Sequence, residues 1–455
     1  MRKFFLITAT VSTLLIVACG GGSDESTPTV SADSVSSPST TLASDPPSPS
    51  TTVAKEDPAE AYCATQGGMV DTVQENGQAV GYCLLPDGQR INKDDFYATA
   101  KVPDVTAASS SLVDSEGDFG WYPSAVATSG GSLVIAHHDR SKGDLRVTFC
   151  ESDDCQTTKT TVVDSANEVG LYTSIAIGVD GLPIISHQDR TNGDLRVTHC
   201  SNVECTTAET TAVDTEGNVG WDSAIAIGAD GLAIISHHDN TNGTLRVTHC
   251  SNIKCTEATS TTIDSSAEVG WYTSIAIGQD GLAIIAHRDE TNDDLRVTHC
   301  SNPLCTKATS TTIDSQGDVG QEASITIGND GLPVISHYDF TNVRLRITRC
   351  ADQLCTSASS ESVDSGRQNG NQTWITPASD GSLLVAQVDP VFNALWVTHC
   401  SDTSCADATT TVVNGDASAS PVIVVGPGDR PVIVSSATSD VDLRITRCNN
   451  ATCTA

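Results

Sequence analysis

Aromatic residues are scarce in this chain, 4% of 455, and only 8 of its 24 basic residues are lysines. Basic charge is so outweighed by acid that the formal net charge is −33. Such a surface repels phosphate backbones and anionic headgroups, which excludes a nucleic-acid-tracking role. After the first twenty residues no apolar run approaches the length of a membrane-spanning helix. With few large rings to fill a core, burial must come from small aliphatic residues on closely stacked elements.

What the chain does have is repetition. Seven copies of a unit of about fifty residues run from residue 109 to the end, and the copy at 161–210 reads TVVDSANEVGLYTSIAIGVDGLPIISHQDRTNGDLRVTHCSNVECTTAET. A fixed period of this size marks one supersecondary unit that must stack on its neighbours to bury its apolar face. Four short β-type runs are legible in it, at 174–177, 182–186, 195–199 and 207–213, with the hairpin turn Asp180-Gly181 between the first two. Four antiparallel strands in each of seven copies predict an all-β, seven-bladed β-propeller over 109–455. The strand order resembles the blades of sialidase-type propellers, with the cysteine turn where those carry their Asp-box turn. Ser174, Ala176 and Gly178 alternate with Ile175 and Ile177, so one small face admits the bulky face of the next blade. The chain stops before the last copy's fourth strand, while 110–114 matches that strand ahead of the first copy. Pairing of 110–114 with 443–447 is the expected ring closure.

Of the 17 cysteines, fourteen fall in seven pairs with four residues between members. Local disulfides are expected at Cys150–Cys155, Cys200–Cys205, Cys250–Cys255, Cys300–Cys305, Cys350–Cys355, Cys400–Cys405 and Cys448–Cys453. Zinc would require pairs from separate repeats to converge. Disulfides imply an oxidising, extracytoplasmic compartment, and each small ring contributes about 2 kcal/mol by loop entropy.

The N-terminus supplies an address. Arg2 and Lys3 precede an apolar stretch that ends in Ile16-Val17-Ala18-Cys19. This resembles the lipobox of bacterial lipoproteins, which implies a signal peptide over 1–18 and a lipidated Cys19 as the mature N-terminus. Several acyl chains together anchor stably to a membrane. Gly20 stands where many inner-membrane lipoproteins of Gram-negative bacteria carry Asp, which favours the outer membrane or cell surface. Residues 19–57 are rich in Ser, Thr, Pro and Asp, lack periodicity, and read as a disordered tether with a reach of roughly 35 Å.

Residues 58–98 form a small module with β-like runs at 69–73 and 79–85, stapled by Cys63–Cys83. Ala61-Tyr62-Cys63, Gly67-Gly68, Gly81-Tyr82-Cys83 and Pro86-Asp87-Gly88 resemble a bacterial domain of unknown function that carries a hemolysin label. Cysteines common in that family after the turn are missing from 89–97, and no amphipathic segment supports lysis.

The loops leading into the first strand and those between strands two and three should open on one face. That face is expected to display Trp121, Tyr122, Tyr172, Trp221, Trp271 and Tyr272 near the axis. Around them should come His187, His237 and His287 with Asp189, Asp239 and Asp289, and their equivalents His137, His337, Asp139 and Asp339. Aromatic faces beside polar groups suit a sugar. Recurrence in five blades favours instead a packing role for each His and Asp. Arg146, Arg196, Arg246, Arg296, Arg346 and Arg444 recur in strand three and should pair with a neighbouring acid. The expected function is a non-enzymatic binding or adhesion head, monomeric, for a glycan or surface-protein ligand. A glycan-active hydrolase of sialidase-like architecture and an envelope scaffold are the alternatives. No cofactor is expected; Asp189, Asn192 and Asp194 offer hard oxygens to a structural calcium, but their spacing lacks the density of a dedicated loop and Asx turns explain it equally well. Gln321, Glu322, Tyr338, Phe340, Trp374, Phe392 and Trp396 break the repeat and mark either a pocket or drift.

Overall fold

In the computed structural model, the described residues are 58–65, 67–75, 78–86, 88–93, 107–114, 120–152, 155–363, 370–389, 393–415, 417, 419–426, 429–437 and 442–454. The signal peptide, the tether, Cys19 and Phe392 lie outside them.

The small module begins with a helix the sequence reading did not anticipate, α1 (Pro58–Thr65). Its proline sits at the first turn, where a missing N–H is harmless. Strands β1 (Met69–Glu75), β2 (Gln78–Leu84) and β3 (Arg90–Asn92) follow as one antiparallel sheet. Cys63 is joined to Cys83, and both are buried. Gly68 runs beneath the bridge, where a Cβ would lie 2.6 Å from Cys83 Sγ, so only glycine fits.

The repeats form seven four-stranded antiparallel sheets, the blades of a β-propeller. The first blade is β5 (Trp121–Ala127), β6 (Leu133–Asp139), β7 (Asp144–Cys150) and β8 (Thr158–Asp164). The second is β9 (Val169–Ile177), β10 (Pro183–Asp189), β11 (Asp194–Cys200) and β12 (Ala208–Asp214). The same order gives β13–β16 (221–264), β17–β20 (269–314), β21–β24 (321–362) and β25–β28 (371–414). The last blade takes β29 (Ala419–Val425), β30 (Pro431–Ser436) and β31 (Leu443–Cys448) from the C-terminus and its outer strand, β4 (Ala108–Asp114), from ahead of the first copy. Leu443 faces Asp114, Ile445 faces Ser111 and Cys448 faces Ala108.

The core lies between blades rather than within them. Ile184, Leu195 and Val197 of the second blade pack with Ile225, Ile235 and the Cys250–Cys255 bridge of the third. Small serines let the inner strands close up: Ser174 Oγ accepts the Ile225 N–H at 3.1 Å, and Ser124 Oγ accepts that of Ile175 at 3.1 Å. Edge amides of one blade are thus satisfied by side chains of the last. Gly170, at φ 84°, would put a Cβ 2.8 Å from Leu145 Cα of the preceding blade. All seven repeat cysteine pairs are bridged as the spacing predicts.

Candidate functional site

A β-bulge in each inner strand decides which side chains reach the axis. In the second blade Leu171 pairs with Gln188 and Ser174 with Ser186, so Tyr172 and Thr173 have no ladder partner on β10. Tyr172 sits at φ 51°, in the left-handed region that bulky residues seldom adopt. The same position is left-handed in every blade: Tyr122, Asp222, Tyr272, Glu322, Gln372 and Ser420 have φ between 48° and 54°. The bulge aims this residue away from the sheet.

Five of these seven, Tyr122, Tyr172, Asp222, Tyr272 and Glu322, line a depression of about 140 Å³ at the start of the inner strands. It is the mouth of the central channel, on the face carrying the loops that lead into those strands. Trp374 lies at its base and also lines the channel beneath, a space of about 110 Å³ walled by Ser124, Ser174, Ser274 and Ser324. Tyr122 and Tyr172 lie 4.6 Å apart by ring centroids, tilted at 46°.

The mouth is electrostatically uneven. Burial pushes the Asp222 carboxyl up to about 6, although Asp222 Oδ2 accepts the Tyr272 N–H at 2.8 Å. Burial, with the nearby Asp222 charge, pushes Glu322 up to about 8. Burial also raises the Tyr272 hydroxyl, helped by Glu322 and Asp222. The Glu322 carboxyl receives no hydrogen bond from a described residue.

The aromatic candidates separate into two groups. Tyr122, Tyr172 and Tyr272 line the mouth, whereas Trp121, Trp221 and Trp271 are not among its lining residues. Trp221 is buried and its Nε1 donates to Asn218 Oδ1 at 2.8 Å, so it cannot serve as a stacking platform. Trp271 packs against His238 at 4.2 Å, and Trp121 lies under the Arg140 guanidinium at 4.8 Å.

The His and Asp candidates require correction. His187, His237 and His287 are completely buried, as are their equivalents His137 and His337. Gly170 N–H donates to His187 Nδ1 at 3.2 Å, so His187 Nε2 carries the proton and donates to Thr198 Oγ1 at 2.9 Å. Thr198 continues to Thr210 at 2.8 Å, linking three strands of one blade. Burial, with Arg196 nearby, lowers His187 to about 3. Asp189, Asp239 and Asp289 are buried too and serve their own turns. Asp189 Oδ1 accepts the Asn192 N–H at 3.0 Å, while Oδ2 faces Asn192 Nδ2 at 2.9 Å and Arg196 Nη1 at 3.2 Å. A guanidinium already holds the oxygen a calcium ion would need, which removes the calcium reading. Arg146, Arg196, Arg246, Arg296 and Arg346 pair with acids as expected, Arg196 Nε lying 3.0 Å from Asp164 of the preceding blade, whereas Arg444 Nη1 donates to Ser110 Oγ at 3.3 Å.

Of the repeat-breaking residues, Glu322 and Trp374 reach the mouth. Tyr338 is buried edge-on to the exposed Phe340, and Trp396 is buried with Ala394 and Val412. Gln321 Nε2 donates to Asp318. Sequence reasoning missed Asp222, Gln372 and Ser420; reading down the column beneath Tyr172 would have exposed them.

The family model described as a domain of unknown function, DUF333, matches residues 55–100. No curated protein matches the chain. Among solved structures, an ulvan lyase from a new polysaccharide lyase family is similar with a TM-score of 0.51 and 10% identity, covering 74% of this chain and 95% of that one. The hydrazine synthase of Kuenenia stuttgartiensis gives a TM-score of 0.51 and 12% identity over 77% and 99%. A puromycin hydrolase gives 0.50 and 11% identity over 71% and 51%. Such unlike chemistries on one frame mean that the likeness is one of fold, and that function must be argued from the site.

Proposed function

We propose that this chain is a lipid-anchored, extracytoplasmic binding protein whose propeller head takes a glycan at the mouth of its central channel. The observation that carries this reading is the bulge column. Its side chain changes through Tyr, Tyr, Asp, Tyr, Glu, Gln and Ser around the ring, while the leucine opening strand three recurs at Leu145, Leu195, Leu245, Leu295, Leu345, Leu395 and Leu443. A purely structural position would repeat its chemistry as the leucine does; this one keeps its backbone and varies its group. Tyrosines beside carboxyls form a surface on which a sugar ring stacks and hydrogen-bonds. Anchoring through Cys19 and the acidic tether would hold the head away from the membrane.

Glycan-array binding of the intact chain should be lost in Tyr172→Ala and Tyr272→Ala variants that keep their melting temperature. Unchanged binding would remove the mouth from consideration. Cys19→Ser should release the protein from the membrane fraction, and retention would refute the anchor.

A second reading, a glycan-active hydrolase, is favoured by one feature: Asp222, Tyr272 and Glu322 share the depression, with Glu322 held up to about 8. A carboxyl kept protonated at neutral pH can act as a general acid. Turnover of fluorogenic glycosides that is abolished by Glu322→Gln would select this reading.

A further inference from the structure

Four aromatic rings and two carboxyls line the mouth: Tyr122, Tyr172, Tyr272, Trp374, Asp222 and Glu322. No lysine or arginine is among the described residues that line it. Aromatic faces and carboxylates both attract cations, and their combination in one recess is the chemistry that recognises ammonium groups. We propose that the channel mouth is a receptor for an ammonium group borne by an amino sugar. This rests on the reading of the mouth as the glycan site and names the chemistry of what enters it.

Three observations converge. The first is unused acceptor capacity. Among the described residues, the Asp222 carboxylate accepts one hydrogen bond, from the Tyr272 N–H, and the Glu322 carboxyl accepts none. An ammonium group offers three donors and a full positive charge to satisfy both. The second is that no described cationic side chain lines the mouth to neutralise these carboxyls. Arg288, the guanidinium that acts on the Tyr272 hydroxyl, is engaged with Glu290 at 2.7 Å, Asp318 at 2.7 Å and Asp293 at 2.5 Å, so it faces three carboxylates of its own. The third is size and shape. About 140 Å³ is small beside the several hundred Å³ of a typical ligand pocket. The recess therefore admits a head group rather than a whole oligosaccharide. At its rim the Tyr122–Tyr172 pair offers a broad aromatic edge for the pyranose that carries the amine, a surface the thin methylene chain of lysine would leave uncovered.

The groups facing Glu322 and its neighbour Tyr272 are Asp222, Glu290 and Arg288. Because Glu322 holds its proton up to about 8, a cation entering the mouth must displace that proton. Affinity for a cation of fixed charge should therefore rise as pH increases from 6 to 9.

The test is calorimetric titration of the intact protein with a glucosamine tetrasaccharide, its fully N-acetylated counterpart, a lysine tetrapeptide and tetramethylammonium. The free-amine sugar should bind about tenfold more tightly than the acetylated one. Tetramethylammonium, whose charge does not titrate, should bind more tightly at pH 9 than at pH 6. Asp222→Asn and Glu322→Gln, both isosteric, should erase the preference and flatten the pH dependence while the protein still melts in a single cooperative transition. Equal or tighter binding of the acetylated sugar, if abolished by Tyr272→Ala, would overturn the ammonium proposal and leave the glycan site standing. Tighter binding of the lysine peptide would overturn the sugar in favour of a protein ligand. No binding of any probe would overturn the proposal and the glycan reading together.

Discussion

Asp114 holds two blades at once: it faces Leu443 on the ladder of the last blade, and its carboxylate lies 3.0 Å from Arg146 Nη2 of the first. The ring is closed by one strand from the other end of the chain, fastened on both sides. A chain beginning at Tyr122 loses that strand, exposes the edge of β31 and leaves Arg146 without Asp114. It should fail to fold as a monomer, whereas one beginning near Val102 should fold. Circular dichroism and gel filtration distinguish the two, and equal stability would refute the closure.

The same pairing recurs between neighbouring blades, for example at Arg246 Nε and Asp214 Oδ2, 2.9 Å apart, with side chains 8% and 2% exposed. Removing one partner of a buried pair leaves an uncompensated charge. Arg246→Ala should therefore lower stability by about 3–5 kcal/mol in urea unfolding. Replacing both with apolar residues of like volume should recover most of that loss, since pair and apolar replacement are often near-equal.

Acid should unfold the head through its histidines. Burial holds His137, His187 and His237 down to about 3, and His287 and His337 to about 4. In the unfolded chain these groups take up protons near pH 6.5. The unfolded state thus binds more protons between those limits. The histidine contribution is fully present above pH 6.5 and is lost as pH falls towards 3. The sixth blade shows how to remove one term: Gln387 stands in the histidine position and reaches Thr398 Oγ1 at 2.7 Å. His187→Gln should flatten the acid limb by about 1.4 kcal/mol per pH unit, read from urea midpoints between pH 4 and 6.

Glu322 acts with the opposite sign. Its folded value, about 8, lies above the ordinary 4.5, so the folded state retains a proton that the unfolded state releases. That contribution is fully present below pH 4.5 and lost as pH rises to 8. Glu322→Gln should leave stability unchanged at pH 4 and raise it at pH 9 by about 1–2 kcal/mol, discounted for the carboxyl's partial exposure. Thermal melts at the two pH values check this, and an equal shift at both would show that ionisation is not the cause.

Period, turn and cysteine spacing make the architecture legible in the sequence alone. Asp180-Gly181, the alternation of Ser174 with Ile175, and the stray match at 110–114 mark hairpin, stacking face and seam. The mouth was harder to read because it depends on backbone geometry that residue type argues against. Tyr172 and Tyr272 adopt left-handed φ, which no propensity assigns to tyrosine. Once the bulge is missed, tryptophan and tyrosine in Trp271-Tyr272 look interchangeable, although one packs on His238 and the other lines the channel. His187 and Asp189 drew attention as polar residues near a loop. Their recurrence was the better guide, because a hydrogen bond needed by every blade is repeated in every blade.

The seven left-handed positions have an evolutionary corollary. Because the bulge releases each of these side chains from the ladder, an exchange there leaves the β-pairing intact, as Tyr, Asp, Glu, Gln and Ser already demonstrate. Selectivity can then drift one spoke at a time, by point mutation, while the wheel itself stays invariant.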